Sequence, residues 1–218
     1  MREAEEQDAE RDAVDGRTRR ATEQRESRRA AILRGALRVF GRKGYHQTHV
    51  ADIIKAAGIA RGTFYLYSEG KSAIFLELLD QMLEQFRESI VGVDTYEGAP
   101  PVELQLMQTV RRIMDTVVQN RLLTTIIIRE AVGLDQEVDR RLRLFYGDLL
   151  EYIRDALREG QRLGYIRKLD EDVAAMCILG TIKQFMEQLV MMDHEAVVDV
   201  DRLALSVLDF NLRGVLGA

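Results

Sequence analysis

Apolar positions recur every three or four residues through most of the chain, which is the period of an amphipathic helix. The first clear stripe starts at Ser27, a good N-cap, and runs through Leu33, Ala36, Leu37 and Phe40 before Gly41 and Gly44 close it. A short helix is predicted over residues 50–57, capped by Thr48 or His49, with Asp52 in its first turn and Gly58 as its stop. A third, over 61–67, follows at once, and then a long helix over 71–91 with Phe75, Leu78, Leu79, Met82 and Phe86 on one side. Residues 92–101 read as a loop, and Pro101 suits the first position of the next helix. Stripes continue through Met107, Val110, Met114 and Val117, and through Leu142, Phe145, Tyr146, Leu149, Ile153, Ala156 and Leu157. Between them residues 122–132 form a shorter helix ended by Gly133; the β-branched run from Thr124 to Ile128 could be misread as a strand, but its neighbours are helical. Asp170 opens a helix that is apolar nearly all round over 173–182, and a last helix covers 199–215. The pattern predicts an all-α protein of about nine helices.

Composition narrows the class. The chain has 218 residues, 46% hydrophobic and 31% charged, with two prolines and no tryptophan, enough for a real core and too few loop formers for a β-sandwich. One cysteine excludes an internal disulfide, so a reducing cytoplasm is the expected setting. The N-terminus has no apolar signal core, and the longest apolar run, over 173–182, is shorter than a membrane span; neither secretion nor a membrane partner is expected.

The net charge of −5 conceals three blocks: −5 over residues 1–16, +9 over 17–68 from twelve Lys/Arg against three Asp/Glu, and −9 over 69–218. Such asymmetry is expected where one part of a chain meets a polyanion. Residues 1–26 lack an apolar face and read as a charged, disordered tail or at best a frayed helix. The arginines over 17–29 are equally readable as a minor-groove arm and as a solvated tail.

The two short helices about Gly58 lie inside the basic block and have helix-turn-helix lengths: a bracing helix, a three-residue turn and a second helix for the DNA groove. The second helix offers Arg61, Thr63, Tyr65 and Tyr67 as hydrogen-bonding groups, and Gly62 lets backbone approach phosphate. Thr-His-Val-Ala-Asp-Ile-Ile-Lys-Ala-Ala-Gly (48–58), Ile-Ala-Arg-Gly-Thr-Phe-Tyr-Leu-Tyr (59–67) and Lys71, preceded by residues 32–45, resemble the TetR/AcrR family of bacterial transcriptional regulators over about 50 residues.

The resemblance implies an N-terminal three-helix helix-turn-helix domain (27–72) and a helical effector-binding and dimerisation domain (73–218). By the same resemblance Arg61 and Thr63 would read base edges or phosphate, Gly62 would touch phosphate through its backbone, and Tyr65 and Tyr67 would pack on the sugar-phosphate. Lys71 would pair with phosphate, Thr48 and His49 would anchor the first helix of the motif, and Ile53, Ala57, Ile59 and Phe64 would form the small core. Ala60 stands where the family commonly has Ser or Thr and contacts phosphate, and Ser68 where it usually has Phe.

Several features admit more than one reading. Phe86, Met107, Met114, Phe145, Tyr146, Tyr152 and Phe185 are singly core residues and together a pocket for a small apolar effector. Ile178 and Ile182, with Leu203 and Val207 of the last helix, are expected at a homodimer seam. Cys177 is expected as a buried, inert thiol, and the three histidines are too scattered for a metal site. No catalytic motif, metal site or cofactor loop is found. The leading expectation is a repressor released from a near-palindromic double-stranded operator by its effector; a dimer without an effector and a protein-interaction adaptor are the alternatives.

Overall fold

The computed structural model describes residues 2–131, 133–191 and 199–215. They form nine α-helices and no β-strand, and the chain divides into two compact units, Met1–Glu77 and Leu78–Ala218.

The first unit holds α1 (Arg2–Lys43), α2 (Val50–Ala57), α3 (Arg61–Tyr65) and the start of α4 (Lys71–Ser89). The first helix begins far upstream of Ser27. Residues 2–26 are rich in Ala, Glu, Arg and Gln, all strong helix formers, and need no apolar stripe to continue a helix already anchored downstream. Gly41 lies inside the helix; the chain turns only at Gly44, in the left-handed region at φ 78°. Ile32, Ala36, Val39 and Phe40 of α1 are buried with Ile53, Phe64, Ile74 and Phe75. Phe40, Tyr45 and Phe75 form a ring cluster with centroids 5.1–6.0 Å apart, Phe75 meeting the other two edge-on.

One glycine sets how closely α1 and α2 cross. A Cβ on Gly35 would stand 2.9 Å from the backbone nitrogen of Ala57. Gly35→Ala is therefore expected to lower stability by about 1–3 kcal/mol although alanine is the better helix former. Thermal unfolding followed by circular dichroism checks this, and a gain in stability would show that α1 and α2 do not cross so closely.

Ser68, which stands where the resemblance expects Phe, closes the turn between α3 and α4. Its Oγ donates to the Gly70 carbonyl at 3.0 Å and accepts from the Gly70 N–H at 3.3 Å.

The second unit contains the rest of α4, then α5 (Val102–Gln119), α6 (Arg121–Ile126), a π-helical turn (Ile127–Ala131), α7 (Gln136–Arg162), α8 (Glu171–Met191) and α9 (Val200–Val215). Aspartates cap three helices: Asp135 accepts from Val138 N at 2.9 Å, Asp170 from Val173 N at 3.1 Å and Asp199 from Arg202 N at 3.0 Å. The β-branched run is helical, but not regularly so. Thr124 and Thr125 bond back to the carbonyls of Asn120 and Arg121, and the helix then widens into the π turn. Arg141 of α7 donates to Asp80 of α4 and to Glu137, whose carboxyl is held down at about 2 by hydrogen bonds from Arg140 and Arg141. By length and composition α8 could cross a membrane, and only 17% of its most apolar stretch is buried inside this chain.

Candidate nucleic-acid interface and apolar cavity

The α2–α3 corner is built by local rules. Asp52 accepts from the His49 N–H at 3.1 Å and from Lys43 Nζ at 2.8 Å, fixing the start of α2 to the end of α1. The lysine, and next the His49 N–H, hold the Asp52 carboxyl below its usual range. At the other end Gly58 adopts φ 67°, ψ 33°, and Ile59 N donates back to the Ile54 carbonyl at 3.3 Å, a glycine stop that reverses the chain into α3. Ala60 occupies the N-cap of α3 with no side-chain cap, as its methyl dictates.

The structure sorts the expected readers into two sets. Ala60, Arg61, Gly62 and His49 are exposed, and Tyr65 is 49% exposed. The Arg61 guanidinium carbon lies 5.8 Å from the Tyr65 ring centroid, so the two side chains share one patch. Nothing lies within 4 Å of where a Gly62 Cβ would stand. Thr63 and Tyr67 are half-buried.

The remaining two positions are hydrogen-bonded within this unit. Thr48 is fully buried, its hydroxyl donating to the Gly44 carbonyl at 2.7 Å, so it braces the turn and presents nothing at the surface. Lys71 Nζ donates to the carbonyls of Tyr45 (3.0 Å) and His46 (3.3 Å) and sits 4.5 Å from the Tyr45 ring, tying α4 to the α1–α2 turn. Both are polar residues whose partners are carbonyls of the α1–α2 turn, which no period in the sequence shows. Ile53 and Phe64 are fully buried as expected, while Ala57 and Ile59 are half-buried. Sequence reading did not single out Arg34, Arg42 and Lys55, which are also exposed on this unit; the local charge count was their signal.

The second unit encloses a cavity of about 540 Å³ whose lining is mainly aliphatic and aromatic. Phe86, Phe145, Tyr146 and Tyr152 line it; Met107, Met114 and Phe185 do not, and Met114 is fully buried in the core instead. Ile178 and Ile182, expected at a subunit seam, line the cavity too, and Val207 is a buried lining residue; Leu203 is half-buried outside it. Tyr152 donates to the Val91 carbonyl at 3.2 Å, and Lys183 Nζ lies 5.5 Å from the Tyr146 ring. Burial, and next the charge of Glu187, push the Tyr146 phenol above its ordinary range. Cys177 is exposed on α8 rather than buried, because the cavity draws Ile178 and Ile182 inward and turns the cysteine out. No cluster of three metal-ligating side chains occurs among the described residues.

Two helices crossing at a left-handed glycine, with a basic, exposed second helix, define a helix-turn-helix DNA-binding protein. Residues 32–78 match the bacterial regulatory proteins of the tetR family, and residues 98–187 match the tetracyclin repressor-like C-terminal domain. The chain is 30% identical over 195 residues to the HTH-type transcriptional regulator YdgC of Bacillus subtilis, covering 86% of this chain and 92% of that one. It is 29% identical to the fatty acid metabolism regulator protein of the same organism, over 84% and 93% of the two chains. The crystal structure of the transcriptional regulator FadR from Bacillus subtilis in complex with stearoyl-CoA superposes with a TM-score of 0.67 at 26% identity, covering 85% of this chain and 98% of that one. The chain belongs to the tetR family of bacterial regulatory proteins, whose members are transcriptional regulators that bind DNA rather than enzymes.

Proposed function

We propose that this regulator is a cytoplasmic homodimeric repressor that reads a near-palindromic operator through Arg61, Gly62, Thr63 and Tyr65, with Ala60, His49 and Tyr67 alongside. An elongated apolar molecule entering the second unit releases it. The observation that carries the effector half is the cavity of about 540 Å³ with its aliphatic and aromatic lining, a volume in the range of small-molecule sites. The stearoyl-CoA held by the FadR structure supports a fatty acyl chain as the class of occupant. The helix α4 runs from the reading unit into the bundle, so a shift of its second half reaches the first. Such coupling is limited by the ligand's differential affinity for the two states. Residues 27–72 form the reading domain and 73–218 the sensing and pairing domain.

Titrating stearoyl-CoA into the protein–operator complex tests this. Dissociation of DNA is expected in the parent. Ile113 lines the cavity, and Ile113→Trp, which narrows it, is expected to keep operator affinity and weaken the response. A parent complex indifferent to acyl chains of every length favours the effector-free dimer.

Pairing is supported by the face of α8 and α9 left uncovered in one chain. Val173, Met176 (55% exposed), Gly180 and Met191 stand out on α8, and Leu205 and Phe210 (69% exposed) on α9. A second copy would cover this apolar surface, which also accounts for the hydropathy of α8 without a membrane. Phe210→Glu is expected to shift the sedimentation coefficient from dimer to monomer, and a variant that remains dimeric places the seam elsewhere.

A further inference from the structure

On α1 the apolar stripe begins at Ile32, yet the helix starts at Arg2, and residues 22–29 are exposed throughout. A helical stretch that buries no face contributes nothing to the core and needs another reason for its composition. Its charge supplies one. Residues 17–29 contain six arginines, two glutamates and no lysine. Arg29 is held by Glu77 at 2.7 Å, and Arg19 lies 3.6 Å from Glu23. Arg20, Arg25 and Arg28 are exposed and have no ion-pair partner among the described residues.

Helical spacing places these arginines. At about 3.6 residues per turn, Arg28 stands about two turns before Gly35, and Arg20 about five turns before Arg38. Gly35 and Arg38 are the residues on which the end of α2 rests: Gly35 packs on Ala57, and Arg38 donates to the Ala56 carbonyl at 2.6 Å. The α3 helix starts four residues after Ala57. Arg20 and Arg28 therefore continue, toward the N-terminus, the face of α1 on which the two-helix head is mounted. Arg25 flanks that face, and Glu26, about two and a half turns from Gly35, lies opposite. The helical rise puts Arg28 about 10 Å and Arg20 about 22 Å along α1 from Gly35. That span corresponds to about three to seven base pairs of duplex.

We propose that Arg20, Arg25 and Arg28 form a second DNA-contacting surface, a basic helix that grips the phosphate backbone flanking the bases read by α3. The occupant is duplex DNA because the face carries three arginines free of ion pairs among the described residues, the bordering Glu23 lying against Arg19, and planar guanidinium groups match phosphate oxygens. The surface adds affinity and salt dependence rather than base choice. It rests on α2 and α3 being the DNA-reading head.

The test compares the full chain with its R20Q/R25Q/R28Q variant by fluorescence anisotropy across salt. One probe is a duplex from the DNA upstream of the chain's own reading frame; the other is that duplex trimmed by about seven base pairs beyond each α3 half-site. Glutamine keeps helix propensity, so the far-ultraviolet circular dichroism should not change. On the long duplex the variant is expected to bind about 10-fold more weakly at physiological salt, with the salt slope reduced by about 0.9 for each phosphate that it no longer neutralises. On the trimmed duplex parent and variant should bind alike, and R20K/R25K/R28K should recover most of the slope. An unchanged slope on the long duplex, or an equal weakening on both duplexes, overturns the proposal. A parent that binds neither duplex overturns the reading head itself.

Discussion

Truncating Phe64 to alanine is expected to cost the reading unit about 3–5 kcal/mol and, with it, operator binding. The ring is fully buried and is the one side chain of α3 that reaches the core formed by α1, α2 and α4. A five-residue helix cannot hold itself; with its anchor gone, nothing orients the exposed side chains beside it. Leu66, two residues on and 77% exposed, is the natural control, and Leu66→Ala should change stability by less than about 0.5 kcal/mol. Thermal unfolding and operator titration on the two variants separate the cases. Equal stability in both would mean that α3 is not docked through Phe64.

Arg61→Ala is expected to do the opposite: leave the melting temperature unchanged and weaken operator binding about 10- to 100-fold, in line with about 1–3 kcal/mol for a good base or phosphate contact. Arg61 stands exposed at the first position of α3, beside the Tyr65 ring and a glycine that leaves open space for a close approach. Where on the DNA the effect falls reveals its role. A base-reading arginine loses selectivity at one position, whereas a phosphate-reading one loses affinity evenly and lowers the salt slope by about one. Binding unaffected by the change would move the readout away from this helix.

Much of this was legible in the chain. The bounds of α2 follow from His49, Asp52 and Gly58, because caps and glycine stops are local devices that act within a few residues. The start of α1 was not, because a charged stretch without an apolar stripe carries no periodic signal; its helix comes from propensity and from continuity with a buried segment. Gly35 has the pattern of an ordinary helix residue, and only the crossing of α2 over it shows why a side chain does not fit. Thr48 and Lys71 show a second limit: composition identifies them as polar but not whether their hydrogen bonds are already taken by the Gly44, Tyr45 and His46 carbonyls.

The cavity shows a third. Phe86, Phe145, Tyr146 and Tyr152 line it, but so do Ile178 and Ile182, while Met114 packs in solid core. A stripe tells which side of a helix is buried; whether it faces a neighbour or a void depends on how all the helices of the bundle pack.

Whether the exposed α3, held by its small buried core, reads DNA sequence is decided by binding of the full chain to the DNA upstream of its own reading frame and to a shuffled duplex of equal length, over a series of salt concentrations. Log affinity should fall linearly with log salt on both, with the native duplex bound about a thousandfold or more tightly at physiological salt. Equal affinity for the two duplexes, or binding indifferent to salt, would contradict sequence reading by α3.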